Sequence, residues 1–151
     1  MAKRLSDHPT LEELNDFFGH DRFAEHAGCR IVEGSRDHAV CELDIKDHHR
    51  NALGNVMGGA IFTLADFAFA VASNWNKPLN VSTTSQITFL GTAKGARLVA
   101  EARKVKEGRS TCFYLVDVSD DLGNPVAHVT ASGFVKSGIQ LVKDMPTAEK
   151  G

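Results

Sequence analysis

Cysteine is scarce in this 151-residue chain: Cys29, Cys41 and Cys112 stand far apart, and no Cys-x-x-Cys pair occurs. That argues against paired-thiol motifs. An odd count fits reduced, buried thiols in a cytoplasmic setting better than a disulfide framework. An excess of basic charge is also missing. The 17 Lys and Arg against 19 Asp and Glu leave a net charge of −2, which speaks against a general nucleic-acid binder. No apolar run reaches the ~20 residues that a bilayer-spanning helix needs, so no membrane partner is expected. The opening MAKRLSDHPT places no apolar stretch behind its basic residues, so no secretory signal is expected. Repeats, low-complexity tracts and internal linkers are absent too. What remains is an ordinary balance of 42% hydrophobic and 24% charged residues, enough for one domain over residues 1–151 with a sizeable core.

Thr10 followed by Glu13 forms a capping box for a helix from Leu11 to Phe18. Gly19 ends it, and a second helical turn is expected over Arg22 to His26. This N-terminal helical segment, about residues 9–27, precedes a core of about 28–137 and a C-terminal tail. "CRIVEG" and "HAVCELDI" read as strands, and "DHHRNALGNVMGG" as a polar loop. A long helix follows, roughly Gly59 to Asn74, with Pro78 marking its exit. Four more strands are expected in "NVSTTSQITFL", "ARLVAEARKV", "STCFYLVDVS" and "PVAHVTASGFV". In the second of these, Leu98, Ala100 and Ala102 alternate with Val99, Glu101 and Arg103, so one face is wet. "KEGR" and "DDLGN" are hairpin signals between strands. The order α-β-β-α-β-β-β-β predicts an α+β fold. Its antiparallel sheet must curve around the long helix, which is apolar almost all round.

That helix holds one acid, Asp66, among Phe62, Thr63, Phe69 and Ala70. A charge in such company costs several kcal/mol unless paired. One reading is a structural hydrogen bond to Thr63 or to an early loop. The other is a carboxylate kept dry, its basicity raised for attack or for activating water. Gly58 and Gly59 open the helix, whose first N–H groups lack internal partners. Glycine there permits either a tight turn or close approach of an anionic oxygen. Gly59 and Asp66 share a helix face but stand ~10.5 Å apart along the axis. One reacting carbonyl cannot touch both within one chain. Two antiparallel copies of the helix across a two-fold axis would bring Gly59 of one near Asp66 of the other, so a catalytic reading predicts a homodimer.

"HHRNALGNVMGGAIFTLADFAFAVAS" resembles the signature of the hotdog-fold acyl-CoA thioesterases, in the PaaI-like branch. "VSTTSQITFLGTAKG", "VKEGRSTCFYLVDVSD" and "PVAHVTASGFV" are similar to the sheet of that family. The resemblance spans roughly residues 25 to 136. It implies a hotdog fold, a curved antiparallel sheet wrapped around one central helix. It implies hydrolysis of an acyl-CoA thioester with a small or aromatic/medium-chain acyl group, with no metal and no cofactor beyond the coenzyme A of the substrate. Asp66 would be nucleophile or general base. Gly58, with Gly59 beside it, would offer backbone N–H to the carbonyl. Asn51 would orient water or polarise the carbonyl, and Ser82 would help hold the water. Met57 stands where the family usually has histidine, and cannot donate a hydrogen bond. Nearby His48 and His49 are candidate replacements.

Met57, Phe62, Phe69 and Trp75 are candidate acyl contacts, and each of the aromatics is also a candidate core residue. Lys104, Lys106 and Arg109 around one hairpin are candidates for the CoA phosphates. Self-association as a dimer, and pairing of dimers into a tetramer, are expected. Two other functions fit the residues: a non-catalytic acyl-CoA binder, and a hotdog hydratase or dehydratase, which Met57 disfavours by removing a site histidine.

Overall fold

The structure, a computed structural model, describes residues 8–75 and 77–140, with side chains as far as 136. Helix α1, Leu11–Phe18, starts at the expected capping box: Thr10 Oγ1 accepts from Glu13 N–H at 3.2 Å, and Glu13 Oε2 accepts from Thr10 N–H at 2.8 Å. Helix α2, Arg22–Ala27, stops at Gly28, whose φ of 95° lies in the left-handed region that glycine adopts without steric cost. Strands β1, Arg30–Ser35, and β2, His38–Asp44, form a hairpin turning at Asp37. The polar loop then carries one 3-10 turn, Asp47–His49.

Helix α3, Gly58–Asn74, begins one residue earlier than expected. Strand β3 covers Pro78–Phe89, β4 Arg97–Glu107, β5 Thr111–Asp120 and β6 Pro125–Gln140. Pro78 does more than end the helix region: it opens β3, a position that tolerates the missing N–H. All neighbours are antiparallel, in the order β1-β2-β4-β5-β6-β3.

The sheet curls over α3 because both present apolar surface. Leu64, Ala65, Ala68, Val71 and Ala72 on the helix are fully buried against Ala39, Cys41 and Leu43 of β2 and Leu98, Ala100 and Ala102 of β4. The small alanines let helix and sheet approach closely. At the β1 edge, Asn15 of α1 takes the place of a further strand: its side-chain amide donates to Ile31 O and accepts from Ile31 N–H, both at 2.8 Å. At the other edge, among the described residues, β3 pairs only with β6, and Val81 to Thr84 are exposed. A strand of 12 residues therefore offers unpaired backbone to another chain.

Beyond the end of α3, Lys77 is fully buried. Its ammonium pairs with Asp37 and, at 2.8 Å, with Glu107, and donates to Tyr114 Oη at 2.8 Å. The cluster ties the β1–β2 turn to β4, β5 and the approach to β3.

Candidate active site

Helix α3 begins without a side-chain cap. Met57 occupies the position where Ser, Thr, Asp or Asn usually satisfies an early N–H, and it makes no such bond. Its own N–H donates to His49 O at 2.8 Å, and its carbonyl accepts from Ala60 N–H and Ile61 N–H at 3.0 and 3.3 Å. The N–H groups of Gly58 and Gly59 have no partner among the described residues. They stand at the positive end of the helix dipole, where an anionic oxygen is favoured.

Neither glycine has a left-handed backbone, so conformation does not demand them. Space does at Gly58, where a Cβ would fall 2.8 Å from the ring tip of Phe89. A Cβ at Gly59 would meet nothing within 4 Å. Gly58 thus permits helix–strand packing, and Gly59 keeps an open approach. Beside them lies a cavity of about 470 Å³ lined by Asn51, Gly58, Ile61, Phe89 and Leu90.

Asn51 shares that cavity with Gly58, as the resemblance implies. Its Oδ1 accepts from Leu53 N–H at 3.0 Å and Asn55 N–H at 3.1 Å, which folds the loop back on itself. The amide NH2 stays available as a donor. His49 is no substitute for the missing histidine. It is buried, with Nδ1 accepting from Lys46 N–H at 2.9 Å and Nε2 donating to Ala27 O at 2.6 Å, so both ring nitrogens serve the loop. His48 is exposed and rests against the His49 ring.

Asp66 accepts no hydrogen bond among the described residues. The Thr63 hydroxyl donates instead to Gly59 O at 2.7 Å, so the structural reading of Asp66 loses its nearest donor. The expectation of a dry carboxylate is corrected in one respect: the single chain leaves Asp66 exposed, because its own sheet does not cover that face of α3. The surrounding protein still strips enough water to raise its pKa above the usual aspartate value.

Ser82 lies exposed on β3, opposite Gly133 of β6, at a bulge in the pairing. The hydroxyl of neighbouring Thr83 is committed to Ser132 O at 3.1 Å. Phe69 is core, edge-on to Tyr114 with ring centroids 5.3 Å apart, whereas Phe62 is half-buried and Met57 exposed. Lys104 is not free for a phosphate, since its ammonium bonds Asp37 at 2.7 Å. Arg109 is exposed in the β4–β5 turn. Lys106 lines a second cavity, of about 270 Å³, with Thr83, Ser132 and Gly133. Sequence reasoning missed Phe89 and Leu90. They read as strand-end apolar residues, and only the crossing of α3 over β3 brings them to the glycines.

The family model of the thioesterase superfamily matches residues 53–127, the stretch from the loop before α3 into β6. A relative from Archaeoglobus fulgidus, named only provisionally as an esterase, is 36% identical over 119 residues, 78% of this chain and 77% of its own. Acyl-coenzyme A thioesterase 13 of Mus musculus is 30% identical over 105 residues, covering 68% of this chain and 74% of its own. A mutant structure of the phenylacetic acid degradation protein PaaI from Thermus thermophilus superposes with a TM-score of 0.72 at 30% identity, over 77% of this chain and all of that one. The chain belongs to the thioesterase superfamily, as a PaaI-like hotdog-fold thioester hydrolase.

Proposed function

We propose that the protein hydrolyses a small or aromatic/medium-chain acyl-CoA at a site that two copies build together. The observation that carries this reading is the pairing of unmet groups on one helix. Among the described residues, Gly58 and Gly59 present N–H donors without acceptors, and Asp66 is an acceptor without donors.

The course of α3 over β3 supports a shared site. Gly58 at the helix start lies on Phe89 at the end of β3. Phe69, one turn past Asp66, lies against Gly133, which pairs with Ser82 near the start of β3. Helix and strand therefore run in opposite directions. Antiparallel pairing of two free β3 edges about a two-fold axis sets the Phe89 end of one copy beside the Ser82 end of the other. The glycines of one chain then face Asp66 and Ser82 of its mate. The second chain also supplies the cover that a single chain does not give Asp66.

In that arrangement the thioester carbonyl oxygen rests on the glycine N–H groups, which stabilise the negative charge that develops there. Asp66 either removes a proton from a water whose oxygen bonds to the carbonyl carbon, or bonds to that carbon itself and forms an anhydride that water then cleaves. In both courses the C–S bond breaks and coenzyme A leaves as thiolate. The Asn51 amide donates to the water or the carbonyl, and Ser82 holds the water. Lys106 and Arg109 are the cations left to meet the CoA phosphates. The protein works in the cytoplasm, where coenzyme A and reduced cysteines coexist, and dimers pair further into tetramers.

The test is release of free thiol from acetyl-, hexanoyl-, benzoyl- and phenylacetyl-CoA by the purified protein. Saturable turnover of at least one supports the reading. Tight binding of the panel without thiol release overturns it and leaves a binding protein.

A further inference from the structure

Four cations stand on or beside the β4–β5 hairpin, and the fold turns two of them inward and two outward. Lys77 and Lys104 both bond Asp37. Lys106 and Arg109 make no ion pair or side-chain hydrogen bond among the described residues. A shift in register sorts them. Lys104 pairs with Tyr114, but Lys106 pairs with Phe113 and Glu107 with Cys112, so Val105 is an extra residue in β4. On a regular strand positions 104 and 107 would face opposite sides. The extra residue lets both turn to the inner side, opposite buried Tyr114 and Cys112, while Lys106 stands outward with exposed Phe113.

Glu107, the last residue of β4, is where the buried cluster grips the hairpin. Its Oε1 accepts from the Lys77 ammonium at 2.8 Å. Lys77 has no exposed side-chain surface and commits its three protons to Glu107, Asp37 and Tyr114 Oη. Opposite Glu107, the Cys112 thiol donates to Asn80 Oδ1 at 3.2 Å, and the Asn80 amide donates to Ser73 O at 2.7 Å. Both strands of the hairpin are thereby tied to the end of α3. The turn beyond closes with Gly108 N–H donating to Thr111 O at 2.8 Å. Lys106 directly precedes the anchored Glu107, and Arg109 follows it by two.

A buried ammonium that loses a carboxylate is left uncompensated, so Glu107 is held firmly in place. Apolar side chains of similar volume would stabilise the fold as well or better. What they lack is a fixed direction, and direction is what cations that recognise a substrate need. Lys106 lines the cavity of about 270 Å³ with Thr83, Thr111, Ser132 and Gly133, and Gly133 is the strand partner of Ser82. We propose that Glu107, clasped by Lys77, is a positioning residue for the substrate. It fixes the hairpin so that Lys106 and Arg109 meet the phosphates of coenzyme A, and it touches no substrate itself. The inference rests on the assignment of those two cations to the phosphates in the proposed function.

The experiment measures kcat and KM of the full-length protein with an acyl-CoA and with the matching acyl-N-acetylcysteamine, which carries the same thioester and no phosphate. Calorimetric titration with coenzyme A adds a readout that needs no turnover. The variants are Lys106→Gln, Arg109→Gln, Glu107→Ala, Glu107→Gln and the double variant Lys77→Met with Glu107→Met. In Glu107→Ala the KM for acyl-CoA and the Kd for coenzyme A should rise up to about fivefold, the usual span of an exposed ion pair. The kcat should hold, since only uniform binding is lost, and the N-acetylcysteamine substrate should show no change. Glu107→Gln should stay near wild type, because its amide oxygen still accepts from Lys77. The double variant removes the clasp while Asp37 keeps Lys104 and Tyr114, so it should melt no lower than wild type and still show the raised KM. It carries the test if Glu107→Ala does not fold. If Lys106→Gln or Arg109→Gln weakens coenzyme A binding while Glu107→Ala and the double variant do not, the inference is overturned and the phosphate assignment stands. If neither cation variant affects binding, the phosphate assignment falls and the inference with it. A loss equal for both substrates also overturns the inference, since it reports general damage to the fold.

Discussion

The Phe89 ring occupies the space that a side chain at position 58 would need, its tip 2.8 Å from where a Gly58 Cβ would stand. Next door, Gly59 faces open space. The two glycines therefore respond differently to alanine. Gly59→Ala adds a methyl where no protein atom objects and removes backbone freedom from a helix, which favours folding by up to ~1 kcal/mol. On the proposed mechanism the same methyl would stand in the path of the carbonyl oxygen, and a misplacement of about 1 Å costs on the order of 100-fold in rate. The variant should be at least as stable as wild type and about 100-fold slower. Gly58→Ala should instead lose stability that Phe89→Ala restores, since Phe89 is half exposed and its truncation clears the clash. Thermal melts and thiol release on the single and double variants check both.

Asp66→Asn should abolish measurable turnover and raise the melting temperature at neutral pH. The sign follows from the raised pKa of Asp66, whose cause is burial. The folded state disfavours the charged form, so the native protein is penalised at pH above its folded pKa. Below the unfolded value both states are protonated and the penalty vanishes. The stabilisation by Asn should accordingly shrink toward zero as pH falls below the ordinary aspartate range. Wild-type activity should drop on the acid side at a pH above that range. Melts of both proteins from neutral to acid pH measure the first effect, and a kcat/KM profile the second.

The fold was legible because its signals are local. Thr10 and Glu13 announced a capping box that formed as read. Leu98, Ala100 and Ala102 alternated in sequence and are fully buried in the sheet. The placement of the candidate residues was legible where one element carries them: Asp66 and the glycines lie on one helix, and helical geometry alone separates them. It was not legible where elements cross. Phe89 reached Gly58 through the packing of α3 on β3. Lys104 looked like a free cation beside a turn because its partner Asp37 is 67 positions away in the chain.

Lys77 offers a test of the fold apart from the chemistry. Burial alone would raise the Asp37 carboxyl, yet hydrogen bonds from Lys104 and Lys77 hold it below its usual value. Lys77→Met leaves Asp37 and Glu107 facing each other with the central ammonium gone. Breaking a buried pair from one side costs ~3–5 kcal/mol, or roughly 10 °C in melting temperature for a chain of this size. Adding Asp37→Asn and Glu107→Gln should recover most of that loss, because the remaining groups no longer repel. Urea unfolding of the single and triple variants checks both directions, and catalysis should persist in whichever variants stay folded at the assay temperature.

A site shared between two copies, as proposed, makes a prediction that no single-chain site can satisfy. If the glycines and the carboxylate of one reaction centre come from different copies, an Asp66→Ala chain and a Gly59→Val chain are each inactive for different reasons. Each chain keeps the half that the other lacks. In a mixed dimer one of the two centres combines the intact glycines of the Asp66→Ala chain with the intact Asp66 of the Gly59→Val chain. The other centre inherits both defects. Mixing equal amounts and allowing full exchange gives about half heterodimers, each with one working centre of two, so about a quarter of wild-type activity should return. Native mass spectrometry confirms the exchange. If each chain held a complete site, mixing would restore nothing, since every centre would still carry one defect. The amount recovered therefore reports directly which chain supplies the N–H groups to which carboxylate.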